Sequence, residues 1–239
     1  NLISGNAGPG IEIALHAHGA RITGNLVGTD VTGAAGLPNA TGISLRDDAH
    51  QNRIGGNPGT EGNTIAFNTG GGIVLEPSAG AGNSFLGNAI YGNGSLGIDL
   101  GHDGVTPNHG PERASGPNAL QNFPVLTRVT PYSAEGTLDS TPRTTFTIQL
   151  FTNVSCDPSG YGQGQSVIAT STLTTDASGH ADFGVSLTAP PEQGVTATAT
   201  DASGSTSEFS ACVLPVLQEG RAGEAGAGAR AETASAAPR

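Results

Sequence analysis

The amino-acid sequence predicts an all-β protein: a right-handed parallel β-helix, or solenoid, followed by an immunoglobulin-like β-sandwich. Two short motifs alternate along residues 1–105, and each copy keeps an apolar residue in register. From Leu120 onward the pattern changes to short runs in which apolar and polar residues alternate, separated by turn signals. With 38 Gly and 15 Pro in 239 residues, turns must be frequent and helices scarce.

The first motif is Asn-x-apolar-x-x-Asn, and the second is Gly-Ile-x-Ile/Leu. Copies of the first begin at Asn1, Asn52, Asn63, Asn83 and Asn88, with a degenerate copy at Ala20; copies of the second begin at Gly10, Gly42, Gly72 and Gly97. The two apolar residues of Gly-Ile-x-Leu lie at i and i+2 of a strand, so both point inward and the residue between them faces solvent. A flexible linker would lack these apolar residues, and a calcium-binding β-roll would need a Gly-Gly-x-Gly-x-Asp repeat, which the sequence lacks.

The isoleucines of the second motif are Ile11, Ile43, Ile73 and Ile98, a spacing of 25 to 32 residues that suits coils of three short strands. Gly and Asn tolerate positive φ and are typical of sharp corners between such strands. Asparagine amides stacked from coil to coil can bond one another. We therefore expect inward ladders of Ile and Leu, with corners of Asn and Gly.

The second half begins after a linker rich in Pro and Gly, which we place at residues 106–119. Turn signals then divide residues 120–217 into seven short strands, the number typical of an immunoglobulin-like sandwich. The predicted strands are Val125–Thr130, Ala134–Leu138, Thr144–Phe151, Ser166–Leu173, Ala181–Leu187, Val195–Thr200 and Ser207–Val213. Residues 218–239 offer almost nothing apolar to bury beyond alanine and predict a disordered tail.

Cysteine content and charge restrict the location and the partners. Cys156 and Cys212 are too few for a metal site of about four ligands, and they predict one disulfide, worth about 4 kcal/mol. A disulfide favours a secreted or cell-surface protein. The nine basic residues are all Arg, and 20 acidic residues give a net charge of −11, which argues against nucleic acid or an anionic membrane as partner. No apolar run approaches the roughly 20 residues that span a bilayer.

The sequence begins within a repeat, so we expect further β-helix coils upstream in a longer parent protein. An open first coil would expose strand edges, and we expect the chain alone to associate.

Several stretches carry a resemblance to a known family. They are Gly97-Ile98-Asp99-Leu100, Gly104-Val105-Thr106-Pro107-Asn108, Leu120-Gln121-Asn122-Phe123-Pro124-Val125-Leu126, Cys156-Asp157-Pro158-Ser159-Gly160-Tyr161-Gly162 and Ser207-Glu208-Phe209-Ser210. Together with the repeats they resemble bacterial secreted proteins with right-handed parallel β-helix repeats, of the pectate-lyase-like superfamily, over about residues 1–213. The resemblance implies the architecture and little about activity. By analogy of fold alone, it suggests a polysaccharide or cell-surface glycan as partner.

The sequence departs from that family in the loop before Gly116-Pro117-Asn118. Relatives usually carry an acidic loop there, whereas this chain has His109-Gly110-Pro111-Glu112-Arg113-Ala114. A calcium site that this loop would form in relatives is therefore doubtful here.

The candidates for catalysis are Arg46, Asp47, Asp48 and His50, the densest polar cluster. The cluster could hold a base beside carboxylates, or it could be a solvated turn. The alignment of coils places Arg46 beside Glu76, as an exposed ion pair. The residue between the two apolar positions of the second motif is Glu12, Ser44, Val74 or Asp99 in successive copies. We call this predicted row the outward column. At coil spacing its two acids would be about 14 Å apart, beyond the ~5–9.5 Å of paired glycosidase carboxylates.

The candidates for a metal site are Asp99, Asp103 and Asn108, which could supply oxygen ligands to Ca²⁺ at the junction of the two halves. His16 and His18 share one face of a strand, but no third ligand lies near them in sequence. Tyr91 and Tyr161 are the aromatic residues that could stack on a sugar, although packing explains them equally well.

Two functions follow from these observations. The first is a non-catalytic structural or adhesive module of an exported bacterial surface or secreted protein, with carbohydrate as a ligand. The second is a polysaccharide-active β-helix enzyme, either a lyase, a hydrolase or an epimerase, whose remaining coils lie upstream.

Overall fold

The structure is a computed structural model that describes residues 1–187 and 189–216, and it confirms the all-β class. The described residues contain no α-helix, and a short 3₁₀ segment covers Pro117–Leu120. The predicted disordered tail, residues 218–239, lies outside the described residues.

The first half contains ten short strands, each following a Gly or Asn turn. They are β1 Leu2–Ile3, β2 Pro9–Ile13, β3 Arg21–Ile22, β4 Leu26–Val27, β5 Thr41–Leu45, β6 Arg53–Ile54, β7 Thr64–Ala66, β8 Ile73–Leu75, β9 Ala89–Tyr91 and β10 Ile98–Leu100. They form parallel sheets in the orders β1-β4-β7-β9, β2-β5-β8-β10 and β3-β6. The chain visits the three sheets in turn from β1 to β6 and then alternates between the first two. This arrangement is compatible with a β-helix.

The expected register of the second motif is confirmed. Ile11 pairs with Ile43, Ile43 with Ile73, and Ile73 with Ile98. The core between the sheets is built from these rows, and Ile43, Ile73 and Ile98 are at most 1% exposed. The burial of one apolar row against the next supplies the main favourable free energy of this half.

Asparagine carboxamides form continuous rows along the corners. In each row the Nδ2 atom of one asparagine donates to the Oδ1 atom of the next, at 2.7–3.0 Å. The rows are Asn1-Asn25-Asn63-Asn88, Asn6-Asn39-Asn68-Asn93 and Asn52-Asn83. Among the described residues, no buried side-chain nitrogen or oxygen lacks a hydrogen-bond partner. Buried amides stabilise a fold only when they are satisfied in this way.

The second half contains six longer strands in two antiparallel sheets. The strands are β11 Val125–Val129, β12 Ser133–Asp139, β13 Thr145–Asn153, β14 Ser166–Thr174, β15 His180–Ser186 and β16 Gly194–Asp201. Their orders are β11-β12-β15 and β14-β13-β16. The predicted disulfide is confirmed, because Cys156 and Cys212 are bonded with their Cα atoms 5.7 Å apart.

The predicted seventh strand, Ser207–Val213, is wrong, since this segment makes only isolated bridges. The hydroxyl groups of Ser207 and Ser210 accept the N–H groups of Ala199 and Ala197 at 3.0 Å, where a paired strand would offer carbonyl groups. The segment therefore lies beside β16 without forming a regular ladder with it. Its Phe209 side chain enters the core of the first half instead.

The second half closes one end of the parallel sheets. Six backbone N–H groups of the last repeat donate to it at 2.8–3.0 Å. The donor and acceptor pairs are Asn83 with Asn118 Oδ1, Phe85 with Thr206 Oγ1, Gly87 with Gln149 Oε1, Ile90 with the Gly164 carbonyl, Asn93 with Gln163 Oε1, and Leu100 with Glu208 Oε1. Five of these acceptors are side chains, so the last sheet edge is satisfied without an added strand.

The asparagine rows generate a stability prediction. Asn63 is 1% exposed, and its carboxamide bonds Asn25 on one side and Asn88 on the other. We expect Asn63→Ala to lower the free energy of unfolding by about 2–4 kcal/mol, because it leaves buried amides unpaired. Urea denaturation measures this loss. Asn57 ends a copy of the same motif but is exposed, so Asn57→Ala should change stability by less than about 0.5 kcal/mol. Equal effects of the two changes would contradict a role for the rows.

The opposite end of the sheets generates a second prediction. In the described residues, β1, β2 and β3 each have a strand on one side only, and Leu2 is 46% exposed. We expect the 239-residue chain to self-associate through these edges as its concentration rises, as light scattering would detect. Leu2→Lys should reduce this association, because an edge lysine opposes pairing. The control is Val125→Lys, at a site 47% exposed in the second half, which should leave association unchanged. A monomer at every concentration would contradict the prediction.

Candidate functional site

The predicted catalytic residues lie in the turn after β5. Asp47 and Asp48 both adopt a left-handed backbone, with φ of 52° and 56°, which bends the chain away from the strand. The turn stacks on that of the preceding repeat, and His16 Nδ1 lies 3.1 Å from Asp48 Oδ2. His50 Nδ1 lies 2.7 Å from the carbonyl oxygen of Asp48. The structure thus places a histidine from each of two repeats at Asp48: His16 bonds its carboxylate and His50 bonds its backbone carbonyl.

Arg46 is held by two carboxylates, and the expected pair with Glu76 is wrong. Its Nε and Nη2 atoms lie 2.8 and 3.2 Å from the two oxygens of Glu12, and its Nη1 atom bonds Asp47. Glu76 instead meets His102, at 2.9 Å. The coil alignment gave the position of the Arg46 backbone, but the long side chain reaches back toward Glu12. The guanidinium lowers the pKa of Glu12, which stays ionised and fixed in the pair.

The polar turn lies on open surface. The side chains of His16 and Asp48 are 77% and 56% exposed. General acid–base catalysis is helped by an enclosed site that excludes water, and this turn is open to solvent. The arrangement forms a network of surface ion pairs.

The outward column of the second motif is mostly covered, contrary to expectation. The register is as predicted, with Glu12 paired to Ser44, Ser44 to Val74 and Val74 to Asp99. However, Ser44, Val74 and Asp99 are only 6%, 2% and 3% exposed. Alternation of apolar and polar residues along a strand predicts which face of the sheet a residue occupies. It does not predict which neighbouring segments cover that face.

Two histidines that sequence reasoning left unpaired are brought together. His18 and His50 are bridge partners on neighbouring strands, and their rings stack with centroids 5.2 Å apart. Their 32-residue separation equals the spacing of Ile11 and Ile43, which is the signal that could have found the pair. Even so, the described residues contain no group of three His, Cys, Asp or Glu side chains arranged to hold a metal ion.

The three residues predicted to hold Ca²⁺ have other partners. Asp99 Oδ1 accepts the N–H group of Asp103 at 3.2 Å. Asn108 is bound at both ends of its carboxamide, since Nδ2 donates to the Phe123 carbonyl at 2.8 Å and Oδ1 accepts the Phe123 N–H at 2.9 Å. Calcium binding here stays a sequence-based prediction.

A buried carboxylate that sequence reasoning did not single out lies beside Asp99. Glu208 is 2% exposed, and its oxygens accept the N–H groups of Leu100 and Thr106 at 2.8 and 2.9 Å. Burial raises the pKa of Glu208 to about 7, against the opposing effect of these hydrogen bonds. Burial also raises the pKa of Asp99. The available signal was the Ser207-Glu208-Phe209-Ser210 stretch, in which a charged residue precedes an apolar one.

The two candidate stacking tyrosines are both half-buried. The Tyr91 ring meets Phe67 edge-on at 5.4 Å, and Tyr161 meets Phe123 at 5.7 Å. Packing therefore accounts for Tyr161, whereas Tyr91 also lines a cleft between the two halves.

No protein-family model matches the chain, and no curated protein is similar to it in sequence. Within the part of the chain that the structure describes, no helix has the length and apolar character needed to cross a membrane.

The buried Glu208 generates a pH prediction. Its pKa is raised from 4.5 to about 7 in the folded state, so folding favours the protonated form. Its stabilising contribution is complete below pH 4.5 and is lost as the pH rises to about 7, a difference of about 3 kcal/mol. We expect the unfolding free energy of the protein to fall over this window, as urea denaturation at each pH would show.

Glu208→Gln should flatten that dependence, because the amide keeps an acceptor oxygen and cannot ionise. The matched control is Glu192→Gln, an exposed change in the same half, which should leave the slope unchanged. Parallel pH curves for the wild type and Glu208→Gln would show that Glu208 does not titrate in this window.

Proposed function

We propose that the chain is a non-catalytic structural and adhesive module of an exported bacterial surface or secreted protein. In this proposal the first half is a right-handed parallel β-helix of the pectate-lyase-like superfamily, and the second half is an immunoglobulin-like sandwich that caps it. The sandwich ends the stack and holds it rigid. Carbohydrate on a cell surface or in a matrix is the ligand class that we assign to it.

The observation that carries the proposal is the closed end of the parallel sheets. Asn93 Nδ2 donates to Gln163 Oε1 at 3.0 Å, so an asparagine row continues into the second half without a break. Phe151 and Phe209 of the second half belong to the same core as Ile98 and Leu100 of the last repeat. The shared core and the shared polar row make the joint between the two halves stiff. A stiff joint suits a module that bears mechanical load or displays a binding surface.

The polar turn after β5 supports a non-catalytic role, because its charged groups are engaged with one another on exposed surface. Arg46 is paired with both Asp47 and Glu12. An exported location is supported by the Cys156–Cys212 bond, because disulfides persist in oxidising compartments.

A substrate panel tests this proposal against the enzyme alternative. Incubation with pectin, alginate and glycosaminoglycans should release no product that reducing-end or unsaturation assays detect. Turnover that is abolished in the double variant Asp47→Asn/Asp48→Asn, and kept in the exposed control Glu192→Gln, would overturn the proposal and assign the polar turn a catalytic role.

A further inference from the structure

A cleft of about 720 Å³ lies between the parallel and antiparallel halves. Its volume is within the range of small-ligand sites. One wall comes from the repeats and carries Phe67 and Tyr91, and the other comes from the segment that contains Asn153 and Cys156. The disulfide to Cys212 fixes that second wall. The cleft is therefore preformed.

The aromatic wall is built at an energetic cost. In the row of Asn6, the residues that precede the four asparagines are Gly5, Pro38, Phe67 and Gly92. Gly5, Phe67 and Gly92 have a left-handed backbone, with φ of 75°, 61° and 63°. Glycine adopts this conformation without strain, whereas a bulky aromatic residue does not. A strained residue that lines a cleft points to a function there.

The aromatic surface is also kept open and oriented. A Cβ atom at Gly92 would lie 3.0 Å from the Phe67 ring, so any side chain at this position would crowd the ring. The Tyr91 hydroxyl donates to the Gly33 carbonyl at 3.1 Å, which fixes the second ring. Both rings are half-buried, with the remaining surface available to a ligand.

The facing wall offers neutral polar groups. Asn153 is rigid, since its Oδ1 atom accepts the Gln165 N–H at 3.0 Å and its Nδ2 atom donates to Thr196. Within residues 1–187 and 189–216, the side-chain carboxamide of Gln165 makes no hydrogen bond. Gln165 thus presents one acceptor and two donors to the cleft.

The charge of the lining decides the ligand class. Among the described residues that line the cleft there is no Arg, Lys or His, and Asp157 is the one charged side chain. A polyuronate would meet no cation here and would be repelled by a protein of net charge −11. A ligand with apolar ring faces and uncharged hydroxyl groups matches both walls.

We propose that this cleft binds a neutral oligosaccharide, which stacks on Phe67 and Tyr91 and bonds the Gln165 carboxamide through its hydroxyl groups. The inference rests on the proposed adhesive function and gives it a ligand class and a site. It places recognition at the joint between the two halves, away from the polar turn after β5.

Calorimetric titration of the full chain tests the proposal, with cellohexaose, xylohexaose, mannohexaose and chitohexaose as neutral probes and hexagalacturonate as the anionic probe. At least one neutral hexaose should bind, and hexagalacturonate should not. Tyrosine fluorescence gives a second readout, because the chain contains three Tyr and no Trp. In the variant Tyr132→Phe/Tyr161→Phe, the remaining signal comes from Tyr91 and should change on binding.

Phe67→Gly introduces the residue that the first and last repeats of this row use before the asparagine, so the variant is expected to fold, and it should weaken binding about tenfold or more. Gln165→Ala touches no hydrogen bond of the fold and should weaken binding about fivefold. Tyr132→Ala, at an aromatic residue 68% exposed elsewhere, is the matched control and should change nothing.

Three outcomes would overturn the cleft proposal: no neutral hexaose binds, hexagalacturonate binds as well as the neutral probes, or binding survives both Phe67→Gly and Gln165→Ala. None of these results involves turnover, so each would leave the non-catalytic module in place. Turnover in the substrate panel would overturn the proposed non-catalytic function. It would not change the binding measurements that test the cleft.

Discussion

Every buried asparagine carboxamide in the repeats needs partners for both its oxygen and its nitrogen, and the rest of the structure depends on this requirement. Asn63 shows how strict it is: its oxygen accepts from Asn25, and its nitrogen donates to Asn88. An unpaired amide at this depth would cost more than a good bond gains. Each repeat must therefore offer an acceptor at the same corner as the last, which fixes the register of the short strands between corners.

The same requirement explains how the rows end. The last amide nitrogen of each row needs an acceptor. In two rows backbone carbonyl groups of the repeats accept from Asn88 and Asn83, and in the third row the second half supplies the acceptor. Gln163 accepts from Asn93, and Asn118 accepts from the backbone of Asn83. Glu208 does the same for Leu100 of β10. The closing half is thus bound by polar groups at the rim and by Phe209 in the core, and the cleft arises where the two halves diverge beside that joint.

Local pattern was enough to predict the strands and their alignment, because a period of two residues within a strand and a repeat between strands are both present in the sequence. It predicted the rows of Ile43 and Ile73 correctly. It could not predict that Arg46 selects Glu12, since two acids lie within reach of a flexible side chain. Nor could it predict that Ser207–Val213 forms no regular strand beside β16. Serine hydroxyl groups take two of the β16 N–H groups, and Glu208 bonds residues about a hundred positions earlier. The candidate cleft could not be predicted either, because its lining residues, such as Tyr91 and Asn153, are distant in the sequence.

The closed end also makes the two ends of the parallel sheets different from each other. The outward N–H groups of the last repeat donate to side-chain oxygens. These side chains do not form a strand, so they offer no new edge to which a further strand could pair. Strand addition at this end is therefore blocked, while β1, β2 and β3 remain open edges of the parallel sheets in the described chain. An assembly built by extending the parallel sheets must then place the joint, with its cleft, at the far end from the contact. A ligand site at that joint stays accessible whatever the other end binds, which is the arrangement that an adhesive module requires.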